Sequence, residues 1–474
     1  MHAPTLISTS QELGFATLEQ EVTVDELPMH GELPRWLSGS LLRTGPAKFE
    51  VGEKQMRHWF DGLAMLHRFT LGDGRVSYGN RFLESRSYRA AREQGRMVYG
   101  EFATDPCRSL FKRVQTLFAK DALPDNANVN LTKLGERYIA MTETPLPVEF
   151  DGRTLKAAAV RPYEAPGQLS TAHPHADRAS GSMLNYAAKL GPSSSYRFFE
   201  VAAGGERPAK PRIIGSLPVK EPAYMHSFGL TERWLVLAEF PFVVNPLALA
   251  LSGRPYIENY RWKPERGTRF TLVDRATGEA TGGFETDACF SFHHVNAYEE
   301  KGQVVVDLCA LPDAGVIEDL YLERLRQGGA VPQSVLTRFR LTLADRSVAS
   351  ERLCDGGLEL PRINYGRCNA LPYRYAWGND LGSSGWFEQI VKVDTSDGRR
   401  DSWSRAGCYP GEPVFVARPQ AEDEDDGVLL SVVLDAGAER SFLLVLDACD
   451  LAEIARAEVP HHIPFSFHGQ FARA

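Results

Sequence analysis

The chain consists largely of short segments in which apolar and polar residues alternate, a pattern that is typical of β-strands with one buried face. Turn-forming pairs separate these segments, and such pairs supply the positive φ angles that two-residue hairpins require. The clearest pairs are Asp73-Gly74, Asp151-Gly152, Thr277-Gly278 and Asp397-Gly398. Because long helical periodicities are few, the pattern predicts an all-β protein.

Four histidines in strand-like contexts recur at long intervals along the chain. His173 and His226 are 53 residues apart, the next interval to His293 is 67 residues, and the last to His468 is 175 residues. A four-stranded propeller blade takes roughly 40 to 50 residues, more with insertions, and presents its inner strand to a central axis. One histidine from each of four blades would meet there, and at this pitch the chain accommodates about seven blades. The spacing therefore predicts a β-propeller rather than a sandwich.

Two of these segments hold a second histidine, so the identity of the residue that faces the axis stays open. In the stretch 289–300, CFSFHHVNAYEE, adjacent side chains point to opposite faces of a strand, and only one of His293 and His294 can reach a shared site. The segment TAHPH likewise holds both His173 and His175. Imidazole binds zinc, copper, iron and nickel, so ligand type alone does not name a metal.

Three glutamates lie in short apolar or proline-rich segments that are unusual for exposed acids. They are Glu143 in MTETP, Glu359 in LELPRINYG and Glu412 in YPGEPVFV. A divalent cation held by neutral imidazoles needs negative charge nearby, and metal-bound histidines usually donate their second N–H to a carboxylate or carbonyl. These glutamates are therefore candidates for orienting the histidines.

The composition indicates which kinds of partner and which cellular compartment the protein has. A net charge of -8 argues against nucleic-acid binding, which uses a basic surface. Seven cysteines without a Cys-x-x-Cys pair indicate neither a disulfide framework nor a zinc site, and they fit a reducing compartment. The N-terminal segment lacks a secretory signal, and the longest apolar run, 240–251, is too short to span a bilayer. We expect a cytoplasmic protein that is either free or bound to a membrane surface.

Two stretches depart from the strand pattern. Within 105–122, apolar residues recur at helical spacing among basic residues, which fits either a helix that caps the propeller or a membrane-surface helix. The stretch 240–262 contains PFVVNPLALALSG and could form the other half of an apolar membrane-facing patch. The segment PDAGVIEDLYLERLRQ is expected to cap one propeller face. We therefore expect a single propeller domain over residues 1–474, with a helical and loop cap over its metal-bearing face.

Segments along nearly the whole chain match, in order, those of a known family. They include GELPRWLSGSLLRTGP, HWFDGLAMLH, TDPCRSLFKR, MTET, TAHPH, YMHSF, FHHVNAYE, LELPRINYG, YPGEPVFV and IPFSFHGQF. The chain resembles the carotenoid cleavage oxygenases, in particular the branch of β-carotene oxygenases and retinoid isomerohydrolases. The resemblance implies a seven-bladed propeller with one non-haem Fe(II) per chain on its axis. It also implies the ligands His173, His226, His293 and His468, with the carboxylates Glu143, Glu359 and Glu412 behind them.

The family activity implies that O2 cleaves a conjugated double bond of a carotenoid or apocarotenoid to give two carbonyl products, inside a long apolar cavity. The resemblance places Phe102, Thr142 and Tyr224 on this cavity near the iron, and it matches the segment around Cys107 to the family's membrane-contacting segment. Three alternatives stay open. The first is a stilbene-cleaving enzyme, against which Thr142 counts because such relatives carry a lysine there. The second is a retinyl-ester isomerohydrolase, which has the same metal centre but does not use O2. The third is a catalytically silent scaffold, which would not need the full set of histidines and glutamates.

Overall fold

The computed structural model describes residues 11–105, 123–158, 161–204 and 208–474. Its strands form seven antiparallel sheets that follow one another around a ring, so the prediction of an all-β, seven-bladed propeller is confirmed. Three of the four predicted turn pairs have a glycine with positive φ, whereas Asp151-Gly152 does not, because the positive φ of that turn falls on Leu155 at 59°. Asp73 and Gly74 have φ angles of 50° and 74°, and Gly278 and Gly398 have φ angles of 75° and 76°.

The first three blades in chain order hold three, five and four strands. Blade I comprises Asn130–Leu134, Arg137–Met141 and Val148–Phe150. Blade II comprises Leu169–Ser170, His175–Ala176, Met183–Lys189, Ser195–Val201 and Arg212–Pro218. Blade III comprises Gly229–Leu230, Trp234–Glu239, Thr268–Asp274 and Ala280–Thr286.

The next three blades hold four, four and six strands. Blade IV comprises His294–Glu300, Gln303–Ala310, Val335–Thr342 and Val348–Arg352. Blade V comprises Glu359–Arg362, Tyr375–Leu381, Phe387–Asp394 and Arg400–Ser404. Blade VI comprises Cys408–Pro410, Val414–Ala417, Gly427–Asp435, Arg440–Asp447, Glu453–Glu458 and, from the N-terminal part of the chain, Met29–Gly31.

Blade VII closes the ring with strands from both ends of the chain. It comprises Thr23–Val24, Gly39–Lys48, Leu63–Gly72, Arg75–Phe82 and Gly469–Arg473. The last of these strands pairs with the second, with Arg43 opposite Gly469. Two further sheets have two strands each: Glu50–Val51 pairs with Lys54–Gln55, and Phe242–Val243 pairs with Arg261–Trp262.

A separate apolar core fills the space between neighbouring blades, because alternate residues of the facing sheets point toward each other. Between blades IV and V, for example, Val305 packs in one cluster with Val391. Leu66 of blade VII and Leu131 of blade I share another cluster, so the same kind of core also joins the first and last blades. Burying each such side chain contributes about 1.5–3 kcal/mol, and the ring is therefore held mainly by its inter-blade cores.

Short helices connect many of the strands. Among the residues that the structure describes, the α-helices are Arg86–Gln94, Pro246–Leu251, Val316–Asp319, Leu322–Leu325 and Tyr365–Cys368, and the 3₁₀-helices are Gln11–Phe15, Trp59–Asp61, Ile257–Asn259 and Pro264–Arg266. Ile317 and Leu320 are buried in one cluster with Phe292, which precedes a predicted ligand, so the segment 312–327 caps the propeller as predicted. The predicted amphipathic helix within 105–122, including Cys107, lies outside the described residues. In the described ranges, no helix is long and apolar enough to cross a membrane.

Candidate metal centre

Four histidines from separate blades meet near the propeller axis. The Nε2 atoms of His173 and His226 lie 2.9 Å apart, and those of His293 and His468 lie 3.1 Å apart. One ring nitrogen from each histidine lies within 4.8 Å of the corresponding nitrogens of the others. A single cation could contact all four nitrogens, which makes the cluster a candidate metal site.

Each of these histidines stands beside the innermost strand of its blade, which explains how residues so distant in sequence converge. His293 directly precedes the innermost strand of blade IV, and His468 directly precedes that of blade VII, Gly469–Arg473. His226 lies just before the innermost strand of blade III, and His173 just after that of blade II. The innermost strands of a propeller lie nearest the axis, so side chains at their ends reach a common point.

Three imidazoles of the cluster are in the form that binds metal. Burial lowers the pKa of His173 and of His293 well below the usual value, and it lowers the pKa of His468 to about 3. These rings are therefore neutral near pH 7, and a neutral imidazole offers a nitrogen lone pair to a cation.

The neighbouring histidines point away from the cluster. His294 Nδ1 lies 2.8 Å from Ser227 Oγ, and His175 Nε2 lies 2.9 Å from the carbonyl oxygen of Phe228. The structure thus brings His293 rather than His294 to the centre, as strand alternation requires for one of the pair. It likewise brings His173 rather than His175.

Three glutamates stand behind the histidines. Glu143 Oε1 lies 2.6 Å from His226 Nδ1, and Glu412 Oε1 lies 2.7 Å from His468 Nδ1. Glu359 Oε1 makes the corresponding contact with His293 Nδ1. Each carboxylate accepts the Nδ1–H of its histidine, which fixes the tautomer and leaves the Nε2 lone pair directed at the centre.

The three carboxylates differ in their surroundings. Burial alone would raise the pKa of Glu412, but the charge of Arg362, the interaction with His468 and the charge of Arg43 together outweigh burial and hold that pKa far below the usual value. Arg362 Nε donates to Glu412 Oε1 at 2.8 Å. Burial raises the pKa of Glu359 to about 7. Glu143 accepts a further hydrogen bond from the hydroxyl of Tyr224 at 2.8 Å.

A cavity of about 250 Å³ adjoins the cluster, with His226, His293 and His468 in its wall. Most of the lining is apolar and includes Trp59, Phe60, Phe292, Leu311 and Trp386. Two of the three residues predicted to line the cavity, Phe102 and Thr142, do so. The third, Tyr224, is buried and directs its hydroxyl to Glu143.

Two arginines of the site did not emerge from sequence reasoning. Arg43 is buried and donates to the carbonyl oxygen of Phe467 at 2.9 Å, next to His468 in the chain. Arg362 contacts Glu412 directly. Both arginines lie in segments that carry the family resemblance, GSLLRTGP and LELPRINYG. Their presence among the apolar residues of these matched segments was the signal that could have found them.

The fold and the site together define a β-propeller protein with a candidate metal centre on its axis. The chain belongs to the family described as retinal pigment epithelial membrane protein (RPE65), whose profile matches residues 15–473, and the predicted family resemblance is thereby confirmed. It is 34% identical to the mitochondrial carotenoid-cleaving dioxygenase of Mustela putorius furo, over 96% of this chain and 95% of that protein. It is 36% identical to the carotenoid isomerooxygenase of Galleria mellonella, over 96% and 94%. A solved structure, the cobalt-substituted apocarotenoid oxygenase of Synechocystis, superposes with a TM-score of 0.84 and 28% identity over 98% of both chains.

Proposed function

We propose that the protein is an Fe(II)-dependent dioxygenase that cleaves a conjugated C=C bond of a carotenoid or apocarotenoid. One O2 and one double bond give two carbonyl groups, so no other oxidant or reductant is required. The observation that carries this proposal is the four-histidine cluster with carboxylates behind it, set in the wall of an apolar cavity. Relatives of this chain that span nearly its whole length are named for carotenoid cleavage.

The donor set of the site fits ferrous iron. Four imidazoles suit a first-row divalent metal, and the glutamates behind them supply the opposing negative charge. The ligands would be His173, His226, His293 and His468. When bound there, one Fe(II) per chain supplies the binding and activation of O2. A relative solved in a cobalt-substituted form supports a metal of this kind.

Other residues of the site orient the histidine ligands. Glu143, Glu359 and Glu412 hold the Nδ1–H groups and thereby keep the rings in place. Tyr224 fixes Glu143 through its hydroxyl.

The wall of the cavity holds the substrate. Phe102 and Thr142 contact the polyene from this wall. The aromatic faces of Phe60 and Phe292 stabilise positive charge that develops along the conjugated chain.

An apolar surface next to the cavity provides a route for a water-insoluble substrate. In the helix Pro246–Leu251, Leu247 is 68% exposed and Leu251 is 55% exposed, while Leu249 of the same helix lines the cavity. We assign this part of the stretch 240–262 as a membrane-surface contact of a single propeller domain.

The six cysteines in the described part of the chain are all free, which fits the reducing cytoplasm.

Product analysis tests the reaction. The purified, iron-loaded protein is mixed with an apocarotenoid in detergent, with and without O2, and products are separated by chromatography and identified by mass spectrometry. We expect two carbonyl fragments that form only with O2. Cleavage of a hydroxystilbene but of no apocarotenoid would identify a stilbene-cleaving enzyme instead. Isomerisation and hydrolysis of a retinyl ester without O2 would identify an isomerohydrolase.

A further inference from the structure

One glutamine stands in the cavity wall on the side where Glu359 backs His293. Gln333 lines the cavity and is also exposed to solvent, so it lies where the cavity opens. The next residue, Ser334, donates its hydroxyl hydrogen bond to the carbonyl oxygen of Leu358 at 2.7 Å. Leu358 directly precedes Glu359, and this contact therefore ties the opening to the metal centre.

Asp380 fixes the orientation of the Gln333 amide. Gln333 Nε2 donates to Asp380 Oδ1 at 2.9 Å, and Arg400 donates to Asp380 Oδ2 at 2.5 Å. Burial alone would raise the pKa of Asp380, but the hydrogen bonds from Arg400 and Gln333 outweigh it and lower that pKa, so Asp380 is a carboxylate. A carboxylate only accepts hydrogen bonds. The amide must therefore turn its NH2 group toward Asp380 and its oxygen away from it.

The backbone at Gly357 is adapted to this pair. A Cβ atom at residue 357 would lie 2.4 Å from Asp380 Oδ1 and 2.7 Å from Gln333 Cγ, so any larger residue would push the two side chains apart. Gly357 also donates its backbone N–H to Asp380 Oδ2 at 3.1 Å. The position of Gln333 is thus set by the fold, although the side chain is exposed.

The oxygen of the Gln333 amide is available to accept a hydrogen bond where solvent reaches the cavity. Among the residues that the structure describes, none donates a hydrogen bond to Gln333 Oε1. Val331, Leu358, Trp386 and Phe387 line the cavity beside it. A ligand that brings a donor can satisfy this oxygen, whereas an aldehyde oxygen or a hydrocarbon ring cannot. Of the hydrocarbon, aldehyde and hydroxyl ends that a polyene can carry, only the hydroxyl end donates a hydrogen bond.

We propose that Gln333 recognises a hydroxyl group on the terminal ring of the polyene, so that the preferred substrates are hydroxylated carotenoids or apocarotenoids. The proposal rests on the proposed function, which puts a polyene in this cavity. The ring packs against the apolar wall, and its hydroxyl donates to Gln333 Oε1 at the opening. Asp380 acts through Gln333 and is a positioning residue.

The test uses two polyenes that differ only in one ring hydroxyl, each titrated into the iron-loaded enzyme without O2. Binding is followed by quenching of tryptophan fluorescence, since Trp59 and Trp386 line the cavity. Gln333→Met removes the acceptor and keeps a side chain of similar length. We expect the Kd of the hydroxylated polyene to rise about 3- to 10-fold relative to that of the other, the effect of losing one neutral hydrogen bond. In turnover with O2, KM should rise by the same factor while kcat changes less.

Gln327→Met is the matched control, because Gln327 is exposed and does not line the cavity. It should leave the ratio of the two Kd values as it is in the unaltered enzyme. An unchanged ratio in Gln333→Met overturns the proposal, and so does equal weakening of both polyenes, which would mean that Gln333 only shapes the cavity. Both results leave the proposed function standing. If the unaltered enzyme binds neither polyene, the proposed function fails and this proposal fails with it.

Discussion

Replacing Glu412 by glutamine tests the network that holds His468. Glu412 Oε1 accepts hydrogen bonds from His468 at 2.7 Å and Arg362 at 2.8 Å. Its Oε2 accepts from the backbone N–H of Gly469 at 2.9 Å and from Arg43 at 3.4 Å. An amide has one acceptor oxygen. Glu412→Gln must therefore turn its NH2 group against two of these donors, and it removes the negative charge between the two arginines.

The expected loss of stability in Glu412→Gln follows from the burial of Arg43 and Arg362. Arg43 and Glu412 are each 1% exposed, and removing one partner of such a buried pair costs about 3–5 kcal/mol. Arg362 is 23% exposed, so water compensates part of its loss. We expect Glu412→Gln to lower the free energy of unfolding of the metal-free protein by about 3–5 kcal/mol.

Glu359→Gln is the matched comparison at the same metal centre. Glu359 Oε1 contacts His293 Nδ1, and its Oε2 accepts no hydrogen bond from a described residue. A glutamine keeps the bond to His293 through its carbonyl oxygen and removes a charge whose burial is unfavourable. The free energy of unfolding should therefore change by less than about 1 kcal/mol.

Urea denaturation of the chelator-treated proteins measures both changes. Metal affinity, measured by competition with a chelator, should fall about 10- to 100-fold in both variants, because each glutamate orients a histidine. If the two variants lose the same stability, or if Glu359→Gln loses more, then contacts with the two arginines do not determine the stability lost in Glu412→Gln. That result would refute the reasoning. An unchanged metal affinity in both would remove the orienting role as well.

Three further changes test other parts of the structure. His293→Ala should abolish binding of one metal ion per chain and His294→Ala should retain it, as measured by elemental analysis; the reverse result would contradict the placement of these rings. Burial lowers the pKa of His67 from 6.5 to about 3, so below pH 6.5 the unfolded chain takes up a proton that the folded protein does not, and stability falls as the pH falls toward 3. His67→Gln should flatten this loss by about 1.4 kcal/mol per pH unit in urea titrations, and an unchanged slope would speak against a neutral buried His67. Replacing Leu247 and Leu251 together by serine should reduce liposome binding and spare turnover in detergent, and full retention on liposomes would place the membrane contact elsewhere.

The fold could be predicted because a propeller repeats a local pattern. Each blade is a run of hairpins, and turns such as Asp73-Gly74 announce them in the sequence. The intervals between His173, His226 and His293 then report the length of a blade, since each histidine adjoins the first strand of its own sheet. Convergence on the axis follows from that repeat.

Other features depend on contacts that no local pattern contains. His173 and His175 share a segment, and only the pairing of His175 with Leu184 and its contact with Phe228 assign the two rings to different environments. The orientation of Tyr224 is similar, because its hydroxyl can turn to Glu143 only once two distant segments meet. Strand alternation limits such choices without making them.

Ring closure and the geometry of the metal centre depend on the same hydrogen bonds. Arg43 lies opposite Gly469 where the N-terminal and C-terminal strands of blade VII pair. Arg43 also donates to the carbonyl oxygen of Phe467, and Gly469 donates to Glu412, so both neighbours of His468 in the chain are held by the residues that close the ring. The ring nitrogen of His468 can therefore face the centre only when both ends of the chain are in place. A substitution where these two strands of blade VII pair should lower metal affinity even if it contacts no ligand, because the same hydrogen bonds orient His468 and close the propeller.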